Sequence, residues 1–242
     1  KDMGFNRENL LMVDLNGKLK KKYKVFRDEL RSCPYIESIS GAMFLPPSNS
    51  VMSYTMKIPD NPQEEFVMEG INVDFNFFKT MQMQLIEGRT FSREFATDTS
   101  QAVILNETAM RNLQMKEAVG KDLGGQKVIG VVKDFNLHSL HADIPPIAIG
   151  ISKMKYLSEL VIRYKPGYLD ELKAFIEQKA NEIVHEPYFS MARFEDVSMD
   201  LYQKEVYLGK ILMFFSILAV VIAILGLFGL SLYQASRRTR EI

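Results

Sequence analysis

An uncharged apolar run near the end of the sequence constrains the architecture of this chain more than any other feature. No residue between Lys210 and Arg237 is charged, and residues 211–232 are apolar apart from two serines. An α-helix rises about 1.5 Å per residue, so about 20 apolar residues cross the hydrocarbon core of a bilayer. Helices of soluble proteins are rarely uncharged on every face. The run therefore predicts a transmembrane helix over residues 211–236 and not a buried helix of a large soluble core.

The charges that flank this run predict its orientation. Arg237, Arg238 and Arg240 follow it and form a basic anchor. Cytoplasmic flanks of membrane helices carry an excess of Lys and Arg, so we expect a cytoplasmic C-terminus. Two lysines on the other side weaken this bias without reversing it. Residues 1–205 are then expected outside the cytoplasm.

Small residues on the predicted membrane helix share one face. Ala219, Ala223 and Gly226 follow one another at positions i, i+4 and i+7. Small residues at this spacing let a second helix approach closely, which predicts a packing face for another membrane helix. The alternative is that Ala and Gly are simply common in membrane helices. The sequence leaves both interpretations open.

Composition limits what the outer residues can bind. The chain has 30 basic and 30 acidic residues, so no net charge favours nucleic acid or an anionic surface. Cys33 is the single cysteine, which excludes an internal disulfide and favours a small buried hydrophobe at this position. Some 205 residues outside the membrane suffice for one or two compact domains.

Two stretches of the outer part have the spacing of a β-α-β block. Apolar runs, helical periodicity and Pro or Gly breaks delimit them. The first has a strand at 10–15, a basic helix with Leu19, Tyr23, Phe26 and Leu30 on one side, and a strand at 36–44. The second has a strand at 160–164, a helix over 169–183 and a strand at 189–194. Together they predict a split β-α-β pair and an α+β layer structure.

The residues between the two blocks form a predicted insertion over 69–150. Its signals are a short helix after Asp74, strands at 102–105 and 127–133, and a helix at 107–113. These elements suffice for a small second α/β domain. After the second block, a helical pattern from residue 197 through Leu201, Tyr202 and Glu205 predicts a stalk that continues into the membrane.

The motifs and residue spacings predict no catalytic or metal-binding site. No phosphate-binding G-x-x-x-x-G-K-[ST] motif occurs, and residues 120–125 are typical of a turn. His138 and His141 lie near Asp134 and Asp143, a set that could hold a divalent ion. Two nearby histidines without a spaced third ligand are a weak signal, and Pro145-Pro146 indicates a surface loop. No nucleophile, base and orienting group can be assembled from the spacing.

Four segments in order resemble a known family. They are DFNFFKTMQMQLIEGRTFS (74–92), AVILNETAMRNL (102–113), VGKDLGG (119–125) and VIGVVKDFNLHSLH (128–141). With the membrane segment that ends in R-x-x-R-E-I, they resemble the MacB/FtsX-like family of ABC transporter permeases. The resemblance covers nearly the whole chain. Each segment alone is unspecific, whereas the ordered set is quite specific.

The resemblance implies a domain organisation. It implies a porter-like periplasmic subdomain (residues 1–68 and 151–196) and an inserted Sabre-like subdomain (69–150). A stalk helix (197–210), a transmembrane helix (211–236) and the start of a cytoplasmic segment (237–242) follow. Family members usually have further spans, so the resemblance also implies one repeat unit of a longer permease in a bacterial inner membrane.

The resemblance also implies a function, mechanotransmission of ATP-driven motion across the membrane, with efflux of drugs or peptides as the expected outcome. The implied partners are an ABC ATPase subunit, a second permease copy or repeat, a periplasmic adaptor and the lipid bilayer, with no nucleic acid. ATP would bind the partner subunit, so we expect this chain to be no enzyme and to need no cofactor. The alternative is a membrane-anchored extracytoplasmic sensor domain of a signalling receptor.

Overall fold

The computed structural model describes residues 3–46, 48, 50–58, 61–138 and 143–238. Side chains are described for these residues except 58, 61–64, 198–207 and 231–238. The chain divides into two units, residues 1–197 and residues 198–242. The first unit is here called the outer unit.

Strands and helices alternate irregularly along the chain, with one long helix at the end. The strands are β1 (Leu10–Leu15), β2 (Ile36–Ala42), β3 (Met52–Ile58), β4 (Asn61–Val73), β5 (Leu85–Gly88), β6 (Ala102–Asn106), β7 (Lys127–Val132), β8 (Ile147–Ile151), β9 (Glu159–Tyr164) and β10 (Phe189–Arg193). The helices are α1 (Gly17–Lys21), α2 (Tyr23–Leu30), α3 (Phe77–Met81), α4 (Glu107–Asn112), α5 (Leu169–Ile183) and α6 (Phe194–Arg238). Short 3-10 turns cover Ala96–Thr99 and Met154–Tyr156. The predicted α+β class is confirmed.

All ten strands belong to one sheet. Its order is β10-β1-β9-β2-β4-β8-β6-β7-β5, and β3 pairs with β4 off this path. At one end of this order lie β10, β1, β9 and β2. Strand β9 is antiparallel to both β1 and β2, and β1 is antiparallel to β10. Each β-α-β block therefore places its two strands on either side of a strand from the other block. This interleaving is the split β-α-β arrangement that the sequence predicts.

The four strands of the two blocks, here called the split half, carry three helices on one face. The strands contribute Leu11, Val13 and Ile162 to this face, and every second residue of β1 points into it. On α5, Leu172, Ile176 and Ala180 are buried at i, i+4 and i+8. The matching periods of strand and helix bury one apolar layer between them.

The remaining strands, here called the inserted half, pack against α4. Their core includes Val103, Leu105 and Val128 from the sheet and Ala109 from the helix. Asn106 caps α4, because its side-chain oxygen accepts a hydrogen bond from Ala109 N at 2.9 Å. The same oxygen accepts from Ile147 N at 2.8 Å. One buried amide thus joins α4 to β8.

A further apolar layer spans both halves. It contains Leu10 and Val161 from the split half, Ile104 and Ile149 from the inserted half, and Phe194 from the first turn of α6. The strand ladder between the halves is short by comparison, with Ala42 opposite Val73 as the aligned pair of β2 and β4 in the described chain. Shared apolar packing therefore joins the two halves in addition to this ladder.

The structure corrects several predicted boundaries. The single basic helix is two helices that break at Lys22, where the backbone leaves helical angles and Lys22 N bonds to Leu19 O at 2.9 Å. Strand β2 ends at Ala42, because the chain then turns and Met43 N bonds to Asn72 O. Helix α6 begins at Phe194, directly after β10. Strands β3, β4, β5 and β8 are not predicted by the sequence pattern. The division at residues 69 and 150 into two subdomains stays a prediction.

Arg163 on β9 holds the N-terminal segment and α3 against the sheet. Its side chain is buried, and its guanidinium donates to three backbone oxygens: Thr80 O, Glu8 O and Asn6 O at 2.8, 2.7 and 2.8 Å. The planar guanidinium holds its N–H donors in a fixed geometry, and three of them meet carbonyls of the N-terminal segment and α3. Each of its three nitrogens thus donates to a backbone carbonyl.

Replacing Arg163 should destabilise the outer unit. We expect Arg163→Met to lower the free energy of unfolding by about 3 kcal/mol, because it leaves buried carbonyls without donors. A urea titration of the full chain in detergent measures this. Arg31→Met, which removes an exposed guanidinium paired with Asp28 one turn away, is the matched control and should change little. Equal effects of both variants would contradict the assigned role of Arg163.

Candidate functional site

The long helix α6 contains a segment suited to crossing a membrane. Residues Leu208–Leu230 have a mean hydropathy of 3.0 over 23 residues, a length of about 34 Å as a helix. Its large apolar side chains are exposed, between 37% for Ile211 and 67% for Leu227. A core helix of a soluble protein would bury at least one face. The exposed apolar surface is therefore the surface that a bilayer would cover.

The predicted packing face of this helix is open. Ala219, Ala223 and Gly226 are exposed, and a Cβ added at Gly226 would meet no described atom within 4 Å. A second helix could therefore approach the backbone along this face. The partner helix stays a prediction.

The predicted stalk residues Leu201, Tyr202 and Glu205 lie within α6, which is one uninterrupted helix from Phe194 to Arg238. Their side chains lie outside the described part of the chain. Arg237 and Arg238 end the helix, and their side chains are likewise not described. Arg240 lies outside the described residues. The stalk and the basic anchor stay predictions.

The first turn of α6 is fixed inside the outer unit. Phe194 is 1% exposed, and its ring meets that of Phe5 edge to face at 5.3 Å between centroids. One residue earlier, Arg193 pairs with Asp196 through two hydrogen bonds of 3.0 Å, which bridge the end of β10 and the helix. The helix therefore starts from a packed aromatic pair without an intervening loop.

A small cavity with a half-buried carboxyl lies beside this first turn. It measures about 180 Å³, and Asp14, Glu159, Ser190 and Val197 are among its lining residues. Asp14 stands opposite both Glu159 and Ser190 in the ladders of β1 with β9 and β10. Glu159 Oε2 accepts a hydrogen bond from Leu45 N at 2.7 Å. Glu159 is not predicted as a site residue, because a glutamate at the end of a strand is normally expected at the surface.

Burial raises the pKa of Glu159 to about 7. The hydrogen bond from Leu45 N acts against this rise, while the neighbouring carboxylate of Asp14 adds to it. Glu159 therefore changes charge near neutral pH, inside the outer unit and beside the root of α6. The arrangement is suited to proton binding.

A larger cleft of about 700 Å³ lies on the inserted half, lined among others by Arg89, Phe95 and Lys127. Arg89 donates to both oxygens of buried Asp98 at 2.6 and 2.8 Å and lies over the ring of Phe95. Burial acts to raise the pKa of Asp98, but the hydrogen bonds from Arg89 and Ser92 outweigh it and the pKa is lowered. A carboxyl held ionised in this way is a poor proton donor.

The histidine set considered for a metal has other partners. His138 Nε2 lies 2.6 Å from Glu69 Oε2, and His138 Nδ1 lies 2.7 Å from Ser48 O. Asp134 accepts from the backbone and hydroxyl of Thr108. His141 lies outside the described residues. Within the described ranges, no group of three His, Cys, Asp or Glu side chains is placed to hold a metal ion.

Comparison with known proteins identifies the fold. No protein-family model matches the chain. No curated protein matches it either. Among solved structures, it is similar to the periplasmic region of MacB from Actinobacillus actinomycetemcomitans, with a TM-score of 0.58 at 13% identity over 82% of this chain and 94% of that one.

A second solved structure is the extracellular domain of the noncanonic ABC-type transporter YknZ from Gram-positive bacteria. Its TM-score is 0.53 at 14% identity, over 76% of this chain and 100% of that one. The outer unit thus has the fold of the outer domains of ABC-type transporters. More narrowly, this is the fold of the MacB periplasmic region, so the family resemblance seen in the sequence is confirmed at the level of fold.

The pH dependence of stability should reveal the half-buried Glu159. Its folded pKa of about 7 exceeds the value of 4.5 for a free glutamate, so its contribution is complete below pH 4.5. That contribution is lost as the pH rises through 7. We expect the wild-type free energy of unfolding to fall by about 2 kcal/mol between pH 5 and 8 through this group. Urea titrations of the full chain across this range measure it.

Glu159→Gln should remove this part of the pH dependence, since the amide oxygen can still accept from Leu45 N. Glu177→Gln, at an exposed position on α5, is the control and should keep the wild-type slope. A Glu159→Gln variant with the full wild-type slope would show that other groups cause it.

Proposed function

We propose that this chain is the outer and membrane part of an ABC transporter permease, which transmits ATP-driven motion of a partner ATPase across a bacterial inner membrane. The observation that carries the proposal is the union of two features in one chain. A domain with the MacB periplasmic fold passes, without a loop, into an apolar helix long enough to span a bilayer. Neither feature alone would favour a transporter over another membrane-anchored protein.

Several features support transmission by mechanical coupling. Strand β10 enters α6 directly, and Phe194 is seated in the apolar layer shared by both halves of the sheet. A displacement of the first turn of α6 would therefore act on packed core residues and not on a flexible loop. In this proposal residues 197–210 are the stalk, and residues 69–150 are a Sabre-like subdomain set into a porter-like one (1–68 and 151–196).

The proposed partners follow from the same picture. An ABC ATPase would bind ATP in the cytoplasm, where Arg237, Arg238 and Arg240 would place the C-terminal end. The open face at Ala219, Ala223 and Gly226 would receive another membrane helix, from a second permease copy or repeat. A periplasmic adaptor and efflux of drugs or peptides complete the proposal, on the analogy of fold with MacB.

Co-purification tests the proposal directly. We expect the full-length protein, extracted in a mild detergent and identified with its companions by mass spectrometry, to bring down an ATP-binding-cassette subunit. The matched control is a variant with Ala219→Leu, Ala223→Leu and Gly226→Leu, which should still insert but lose partners that depend on the small-residue face. Repeated purification with a kinase or a receptor signalling module, and no such ATPase, would favour the sensor and reject the permease.

The stalk makes a second prediction. Proline inside a helix costs about 3 kcal/mol and breaks the hydrogen-bonded line. We therefore expect Leu201→Pro to abolish ATP-dependent distance changes between outer units, measured by electron spin resonance on labels at Lys173→Cys in the Cys33→Ser background. Glu205→Pro should act alike, whereas Leu201→Ala should behave as wild type. Full distance changes in both proline variants would contradict a rigid stalk.

A further inference from the structure

Three buried polar atoms without a hydrogen-bond partner in the described chain lie beside Gly41 or Asp74, at the junction of β2 with β4. They are Tyr23 Oη, Arg27 Nη1 and Asp74 Oδ2. Tyr23 and Arg27 lie on α2, and Asp74 directly follows β4. Tyr23 is 2% exposed, and the side chains of Arg27 and Asp74 are 3% and 5% exposed. Bulk water therefore does not reach these atoms.

The other polar atoms of the two charged groups are occupied. Arg27 Nε and Nη2 donate to Asp28 Oδ1 at 3.3 and 2.9 Å. Asp74 Oδ1 accepts from the hydroxyl of Ser40 and from Asn76 N. Arg27 Nη1 and Asp74 Oδ2 remain, 3.7 Å apart. That distance allows an ion pair but exceeds a hydrogen bond.

The hydroxyl of Tyr23 lies next to Gly41 on β2. A Cβ added to Gly41 on β2 would stand 1.7 Å from Tyr23 Oη, so only glycine leaves room for the hydroxyl. Gly41 O accepts a hydrogen bond from Asp74 N at 2.8 Å, which puts the start of the Asp74 turn beside it. Burial, followed by the nearby carboxylate of Asp74, raises the pKa of Tyr23, which keeps the hydroxyl protonated.

Buried polar groups almost always have partners, and each one left without a partner costs about 1–3 kcal/mol. A water molecule accepts from Arg27 Nη1, donates to Asp74 Oδ2 and bonds to a hydroxyl in either sense. Three such partners are the usual number for an internal water. We propose that a single internal water molecule binds among Tyr23 Oη, Arg27 Nη1 and Asp74 Oδ2, and that it holds α2 to the joint between the split and inserted halves.

The position of this site explains its importance. Ala42 opposite Val73 is the aligned ladder pair that joins β2 and β4 within the described residues. The hydrogen bonds Met43 N to Asn72 O and Asp74 N to Gly41 O flank it, at 2.9 and 2.8 Å. A water bound to Tyr23, Arg27 and Asp74 would also link this junction to α2 in the helix layer. The inference rests on the outer unit alone and holds whether or not the chain serves a transporter.

Hydrogen exchange of single amides tests the proposal in the full chain. Tyr23→Phe removes one partner of the water and should speed exchange at Met43 and Asp74 about tenfold, the factor that corresponds to about 1.4 kcal/mol. In the Asp74→Asn background, where the site has lost its anionic partner, Tyr23→Phe should speed exchange less than about threefold. Tyr35→Phe, on a tyrosine that stacks with Tyr168 at the surface, is the control and should change nothing at these amides.

Equal factors for Tyr23→Phe in both backgrounds would overturn the proposal, because they would mean that the hydroxyl and the carboxylate do not share a ligand. No change at Met43 and Asp74 in Tyr23→Phe would overturn it as well. If Asp74→Asn does not fold, Arg27→Lys replaces it in the same cycle. The lysine keeps the charge but lacks the guanidinium fork, so non-additivity with Tyr23→Phe is again the expected result.

Discussion

The apolar layer that both halves of the sheet share is the feature on which the rest of the outer unit depends. The backbone ladder between β2 and β4 has one aligned pair in the described chain, Ala42 with Val73. Leu10, Val161, Ile104 and Ile149 instead come together in one buried cluster. Phe194 belongs to the same cluster, so the root of the long helix shares the packing that unites the halves. A displacement of the first turn of α6 and a displacement at the junction of β2 with β4 therefore both act on the packing of this one cluster.

Periodicity in the sequence predicted the elements with one strongly buried face. Strands β1 and β9 and helix α5 carry unbroken apolar patterns, so their positions agree with the structure within a residue or two. The hairpin of β3 and β4 was missed, because Pro62 and the polar residues after it resemble a loop. Strand β8 was missed because Pro145-Pro146, directly before it, indicated a surface loop. The pairing of β4 with β8 links residues distant in sequence, which local patterns cannot show.

The candidate site was less accessible to such reasoning. Composition alone predicts the membrane segment, whereas Arg27 and Asp74 are buried and Glu159 is half-buried. Charged residues like these are normally expected at the surface. One signal was present, however. The tripeptide Asp-Phe-Asn occurs at 74–76 and again at 134–136, each time directly after or close to the end of a strand. In both copies the aspartate accepts a hydrogen bond from a hydroxyl on another segment, Ser40 for Asp74 and Thr108 for Asp134, a role that the repeat could have indicated.

The direct passage from β10 into α6 has a mechanical consequence. Strand β10 lies at the edge of the sheet and is held by its five aligned pairs with β1. A pull along the strand loads those hydrogen bonds together, in shear. A sideways pull would peel them one after another, beginning at the pair of Leu11 with Arg193. The aromatic pair of Phe194 and Phe5 stands at the end where peeling would start. This packed pair therefore opposes separation of β10 from β1 at that end.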